Sequence, residues 1–138
     1  MNSKLRNLMI SAGAAAILSA PVLTAQTKLE TAEIPFDFTA GETNLAAGSY
    51  SVETLNNHAV LVLRNNESGK SIIIGSPIRG SEKDRAVMAF RCYGDHCFLS
   101  EVDVPGTSSY EMSKGSWERE TAKADTKATM AFVTMASR

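Results

Sequence analysis

Two histidines, two cysteines and one tryptophan are all that this 138-residue chain has of the side chains that most often carry chemistry. No Gly-x-Ser-x-Gly or Ser-x-x-Lys is present, so the nucleophile arrangements those patterns mark are missing. A P-loop, a Gly-x-Gly-x-x-Gly turn, a His-Glu-x-x-His pair and an Asp-rich calcium loop are also absent. Basic residues are never clustered. A duplex or anionic-membrane binder needs concentrated positive charge to displace counterions, which argues against nucleic acid as a partner. These absences point to a non-enzymatic protein without cofactor or bound metal.

The one long apolar run is at the start. Lys4 and Arg6 precede Leu8–Ala20, which is rich in Ala, Ile and Leu, and Pro21 breaks the run ahead of Leu23-Thr24-Ala25. That order is the order of a secretory signal peptide over residues 1–25. The run is short for a membrane span and is interrupted by Pro21, so no stable span is expected after cleavage. No cysteine lies near the cleavage region, so lipid anchoring is not indicated. Cleavage after Ala25 leaves 138 − 25 = 113 residues, one β-rich domain over 26–138 with a modest core. It also removes two of 14 basic side chains and leaves 12 against 15 acidic ones, a net charge of −3. Export places the protein in the periplasm or outside the cell, where cysteines oxidise.

The stretch Ala86–Val104, AVMAFRCYGDHCFLSEVDV, reads as two strands around Gly94-Asp95, a two-residue loop with the glycine first, as in a type II′ turn. Tyr93 then faces His96, Cys92 faces Cys97, and Phe90 faces Leu99. The 92:97 pair is non-hydrogen-bonded, with Cα atoms close enough for a disulfide. A metal site of Cys92, Cys97 and His96 competes, but residues 96 and 97 point to opposite faces of a strand and the hairpin offers no fourth ligand. Both hairpin faces carry apolar side chains, Met88, Phe90 and Leu99 on one and Val87, Phe98 and Val102 on the other. The pattern does not decide which is core.

Along the rest of the chain, short apolar runs alternate with turn residues. Gln26–Glu33 reads as a polar lead-in. Ile34–Thr39 alternates as one half-buried strand with Ile34, Phe36 and Phe38 on a face and Pro35 at an end or edge. A loop at Ala40–Gly48 leads to a strand at Ser49–Leu55, an Asn56-Asn57 turn, a strand at Ala59–Arg64, a turn at Asn65–Gly69 and a strand at Lys70–Ser76. The three isoleucines at 72–74 suggest burial on both faces of that last strand. Pro77–Asp84 reads as a polar loop and Ser108–Met112 as a short strand. Ser116–Ala124 is the one good helix candidate, with Ser116 as its cap, Glu118 and Glu120 early and Lys123 late. Lys127–Met135 closes the chain as a strand, with Ala and Met leaving a helical reading open. The sum is a mainly antiparallel sandwich or small barrel of about seven to eight strands with one short helix near the C-terminus.

Asp95, His96 and Ser100 do not make a triad in this register, because Asp95 and His96 are neighbours at a hairpin tip. The carboxylate pairs Glu101 with Asp103 and Glu118 with Glu120 read as solvated surface rather than a glycosidase pair. Trp117 reads as a peg that seats the helix on the sheet, with a surface aromatic for a carbohydrate or peptide as the alternative. Asn66-Glu67-Ser68 fits a glycosylation sequon but also a plain turn.

Three segments, IPFDFTAGETNLAAGSYSVE (Ile34–Glu53), RCYGDHCFLSEV (Arg91–Val102) and EMSKGSWERE (Glu111–Glu120), carry a resemblance to a family of small exported proteins of unknown function from acidobacterial genomes. The family pattern runs Ile/Val-Pro-Phe-x-Phe, Leu-Pro-Ala-Gly-x-Tyr, Tyr-Gly-Asp before a Phe-Leu strand, then a charged segment. Ala46 replaces the usual proline, and Cys92 and Cys97 stand where the family pattern has other residues, so any role of their bridge belongs to this branch. The resemblance implies export and brings no catalytic residues.

Two functional readings follow, besides a less favoured unrecognised hydrolase. One is an exported interaction or envelope-associated domain with an unidentified protein or envelope partner. The other is a β-domain that binds an apolar small molecule in a pocket lined by Phe36, Phe38, Tyr50 and Phe90. If Met1–Ala25 is a signal peptide, mass spectrometry of the exported protein will find a chain beginning at or next to Gln26; a folded exported product that retains Met1 would refute it.

Overall fold

The computed structural model describes residues 29–75, 77–124 and 127–137. The proposed signal segment lies outside them. Within them the chain forms two sheets that face each other across one core. The first has the order β12-β1-β4-β5-β6, built from β1 (Leu29–Ile34), β4 (Gly48–Leu55), β5 (Val60–Asn65), β6 (Ser71–Ile74) and β12 (Ala136–Ser137). The second has the order β11-β8-β9-β10-β7, built from β7 (Pro77–Arg79), β8 (Val87–Tyr93), β9 (His96–Val104), β10 (Ser108–Glu111) and β11 (Thr129–Thr134). Two short strands, β2 (Phe38–Ala40) and β3 (Thr43–Leu45), extend the second sheet from β9. The helix α1 spans Ser116–Ala124, as the sequence suggests.

The sheets form a sandwich and do not close into a barrel. The chain passes from one sheet to the other in four places: after Ile34 into β2, after Leu45 back into β4, after Ile74 into β7, and after Thr134 into β12. This accounts for twelve strands where the sequence suggests seven or eight. The Ile34–Thr39 run is not one strand: Ile34 ends β1 in the first sheet and Phe38 begins β2 in the second, with Pro35 at the break. Residues 29–33 of the supposed polar lead-in pair with β4 from Leu29↔Glu53 to Glu33↔Ser49. Part of the supposed Ala40–Gly48 loop is β3, and part of Pro77–Asp84 is β7. Pairing is antiparallel except for β2 on β9, which is parallel. Lys127–Met135 supplies a strand, and β11 pairs with β8 from Thr129↔Cys92 to Thr134↔Val87.

The hairpin register agrees with the sequence at its tip. Gly94 has a φ of 61°, and Tyr93↔His96, Cys92↔Cys97 and Phe90↔Leu99 are paired. Cys92 and Cys97 form a disulfide with an S–S distance of 2.10 Å. Their Cα atoms are 4.0 Å apart, closer than the about 4.5 Å of directly opposed, non-hydrogen-bonded residues. Farther down the register shifts between Ala89 and Phe90, and Ala89 pairs with Glu101. Ser100 is the extra residue of a β-bulge. Leu99 and Cys97 face the core before it, and Val102 and Val104 after it. Val102 therefore lies on the Met88 face and not on the Phe98 face, and that face is the core.

Tyr50 and Tyr110 are fully buried, and each hydroxyl finds a carbonyl: Tyr50 donates to Ala46 at 2.5 Å, Tyr110 to His58 at 2.7 Å. The second bond ties the sheets together. It holds the Asn56-Asn57-His58 turn, three successive residues with φ between 51° and 69°, a conformation costly for L-residues. Ile74 is buried, but Ile73 is 70% exposed on the edge strand β6, so that strand is covered on one face only.

Two stability outcomes follow. Tyr110→Phe leaves the His58 carbonyl without its donor, and a urea titration should show a loss of about 1 kcal/mol. Cys92→Ser with Cys97→Ser should still fold but lose roughly 1–2 kcal/mol, because the closed loop is small.

Candidate functional site

The outer face of the β8–β9 hairpin carries Arg91, Tyr93 and Phe98, and α1 covers it. Glu118, 2% exposed, points from the helix onto Arg91. The guanidinium donates Nε to Oε1 at 2.5 Å and Nη2 to Oε2 at 3.1 Å, a two-pronged contact. Nη1 donates to the hydroxyl of the bulged Ser100 at 2.6 Å, and the Tyr93 hydroxyl donates to Glu118 at 3.3 Å. Glu118 is thus neither solvated nor part of a carboxylate pair with Glu120. Ser100 is bound to Arg91 and makes no triad with Asp95 and His96.

The helix start is fixed from elsewhere in the chain. Gly115 is the cap, its carbonyl accepting the Arg119 N–H. The Glu42 carboxylate takes the Ser116 N–H at 2.6 Å and the Ser116 hydroxyl at 2.8 Å. Ser116 is consequently the first helical residue and not the cap. Its backbone and side-chain hydrogen bonds hold the Glu42 carboxyl below its usual 4.5. A side chain at Gly115 would collide with the Gly41 carbonyl.

A second charged cluster lies farther along the same face. Asp103, 2% exposed, meets Lys83 at 2.6 Å; Glu101 meets Arg79 at 2.7 Å and accepts the Ser109 hydroxyl at 2.6 Å. Asp103 is buried where the sequence suggests solvated surface. Burial alone would push its carboxyl up, but hydrogen bonds from Lys83 and Ser109, one shared with Glu101, and the Lys83 charge hold it below the usual 3.8. Both carboxylates are matched by cations: Glu101 holds Arg79 at the end of β7, and Asp103 holds Ser81 and Lys83 of the segment after it.

The open site is a cleft of about 470 Å³ between the β2–β3 hairpin and the tip of the β8–β9 hairpin. Asp37, Thr39 and Asn44 line one side, and Asp95, His96 and Cys97 the other, with Trp117 of α1 completing it. Trp117 is 40% exposed; its ring meets Phe98 at 5.4 Å and His96 at 5.3 Å, both edge to face. It is a peg on one side and a cleft wall on the other. Thr39 donates its hydroxyl to the Asn44 side-chain oxygen at 2.9 Å, and Asp37 accepts the Ala47 N–H at 2.8 Å. Asp95 makes no hydrogen bond among the described residues. No lysine or arginine lines the cleft.

The four aromatics expected to line an internal pocket pack on one another instead. Phe36 and Phe90 have centroids 5.0 Å apart, Phe38 and Phe90 5.3 Å, and Phe38 and Tyr50 5.4 Å. Of these only Phe38 also borders the cleft. The described residues hold no group of three or more His, Cys, Asp or Glu placed to bind a metal, and none of their helices is long and apolar enough to cross a membrane. Comparison with protein-family models, with curated proteins and with solved structures found no match to this chain.

Two outcomes test this geometry. Glu118→Ala strands the Arg91 guanidinium under the helix and should cost roughly 3 kcal/mol in chemical denaturation. Asp103, with a depressed folded-state pKa, contributes stability that is present above the unfolded value and lost as pH falls through the lower folded one. The stability difference between wild type and Asp103→Asn should therefore be full above about pH 5 and shrink as the solution is acidified below 3.8; a difference that grows on acidification would contradict this assignment.

Proposed function

We propose that the protein is an exported, non-enzymatic β-sandwich that recognises its partner through the cleft at Trp117. The observation that carries this reading is Trp117 itself, a large aromatic left 40% exposed in a concave site between two hairpins. An amphipathic ring partly packed and partly open is a common anchor for recognition. The cleft volume lies in the range usual for small ligands or a peptide side chain. The charged clusters nearby are neutralised within the fold, which leaves them little chemistry to perform.

Export is supported by the order of charge, apolar run and small residues in Met1–Ala25 and by the disulfide. The resemblance to small exported acidobacterial proteins supports the same reading. Its three segments meet at this site: Ile34–Glu53 contributes Asp37 and Asn44, Arg91–Val102 contributes Asp95 and His96, and Glu111–Glu120 contributes Trp117.

Affinity capture from the organism's own envelope and culture medium, run with wild type and with Trp117→Ala, tests the reading. A partner held by wild type and reduced at least about tenfold with the variant is the expected result. Equal capture by both would overturn the assignment of this cleft.

A further inference from the structure

We propose that the cleft takes an organic cation, the guanidinium or ammonium group of a basic peptide. The inference rests on the reading of the cleft as the binding site and names what that site selects. Two carboxylates, Asp37 and Asp95, line it from opposite hairpins, and no lysine or arginine is part of the lining; Lys70 reaches the Asn44 backbone carbonyl at 3.2 Å but pairs with neither carboxylate. That distinguishes it from the charged clusters on the outer hairpin face, where Glu118, Asp103 and Glu101 are each matched by a cation.

The hydrogen-bond accounting agrees. Asp37 uses Oδ1 on the Ala47 N–H and has no further partner among the described residues for Oδ2, and Asp95 uses neither oxygen there. Asn44 spends its carbonyl oxygen on Thr39. The uncommitted acceptors of the cleft are thus chiefly the carboxylate oxygens of Asp37 and Asp95, with the His96 imidazole beside them, which match a ligand rich in donors. Trp117 supplies the other half of cation recognition, since the negative face of an indole attracts guanidinium and ammonium groups. A planar guanidinium can stack on the indole and donate to a carboxylate at once. An anionic ligand would face two like charges, and a purely apolar one would strip water from both carboxylates without replacing their hydrogen bonds.

The chain has a single tryptophan, so emission excited beyond the tyrosine absorption band reports this cleft alone. The probes are acetyl-Gly-Arg-Gly-amide, the same peptide with citrulline for arginine, and cellotetraose as a neutral donor-rich ligand. The expected result is a saturable change in Trp117 emission with the arginine peptide, at least about tenfold weaker with citrulline and weakened by salt. Asp95→Asn breaks no hydrogen bond of the described residues and should raise the dissociation constant about tenfold. Glu120→Gln removes an exposed carboxylate outside the cleft and should leave it unchanged. Equal binding of arginine and citrulline peptides, or equal weakening by Asp95→Asn and Glu120→Gln, overturns the cation assignment. Saturable binding of cellotetraose alone overturns it too, while leaving the cleft as a binding site. No response to any probe overturns the cation assignment, and the capture comparison with Trp117→Ala then decides the cleft itself.

Discussion

The bulge at Ser100 is the constraint on which the second sheet depends. In a regular strand the side chains alternate, so Cys97 and Leu99 facing inward would bring Glu101 and Asp103 inward too. The extra residue resets the alternation and sends Val102 and Val104 to the core, with Glu101 and Asp103 to the outside. Two buried, unpaired carboxylates would cost far more than a sandwich of this size can absorb. The bulge is itself tied down: the Ser100 carbonyl accepts the Met112 N–H at 2.8 Å, and its hydroxyl accepts from Arg91. At the other end of the strand pair, the two-residue loop and the disulfide fix the starting register. Register is therefore held at both ends of the stretch where a slip of one residue would exchange core and surface.

That outer face then determines how the helix sits. A short helix has little apolar area to offer a sheet, and α1 offers chiefly Trp117. Its remaining attachment is polar: Glu118 on Arg91 and Tyr93, and Glu42 on the helix start. Two anchor points from different parts of the chain fix both the position and the direction of α1. The orientation of Trp117 against Phe98 and His96 follows from them. The cleft wall is thus set by an ion pair that lies beneath it, and by a carboxylate from the β2–β3 turn that forms the opposite hairpin.

How much of this was legible in the sequence divides along contact range. The hairpin loop, the cysteine pairing, the Asn56-Asn57 turn and the limits of the helix are local, and turn chemistry or periodicity reports them directly. Period-two alternation says that a strand has two faces but does not say which sheet it joins, so Ile34–Thr39 looked continuous although it crosses between sheets. The N-terminal strand was hidden because Glu30 and Glu33 interrupt it; Glu30 is buried and accepts the Ser137 hydroxyl at 2.9 Å from a strand more than a hundred residues away. Serine before a helical run reads as a cap, and nothing near Ser116 indicates that Glu42 performs that function. Trp117, Asp95 and His96 each stood out singly in the sequence, but their convergence with Asp37 and Asn44 depends on β2 lying parallel beside β9, a pairing no local pattern announces.

The position of the cleft also follows from size. A small domain buries a limited share of its surface and needs its whole interior for stability. Here Phe36, Phe38, Tyr50 and Phe90 fill that interior with edge-to-face ring contacts, and opening a ligand cavity among them would remove the packing that holds the sheets together. A concave surface can form instead where the chain changes sheets, because the strands there diverge and their edges are incompletely covered. The crossing from Ile34 to Phe38 is such a place: it carries Asp37 out of the core, lays β2 against β9, and leaves the gap that Trp117 borders. The corner that lets the sandwich close therefore also creates its one aromatic-walled recess among the clefts described, at no cost to the core.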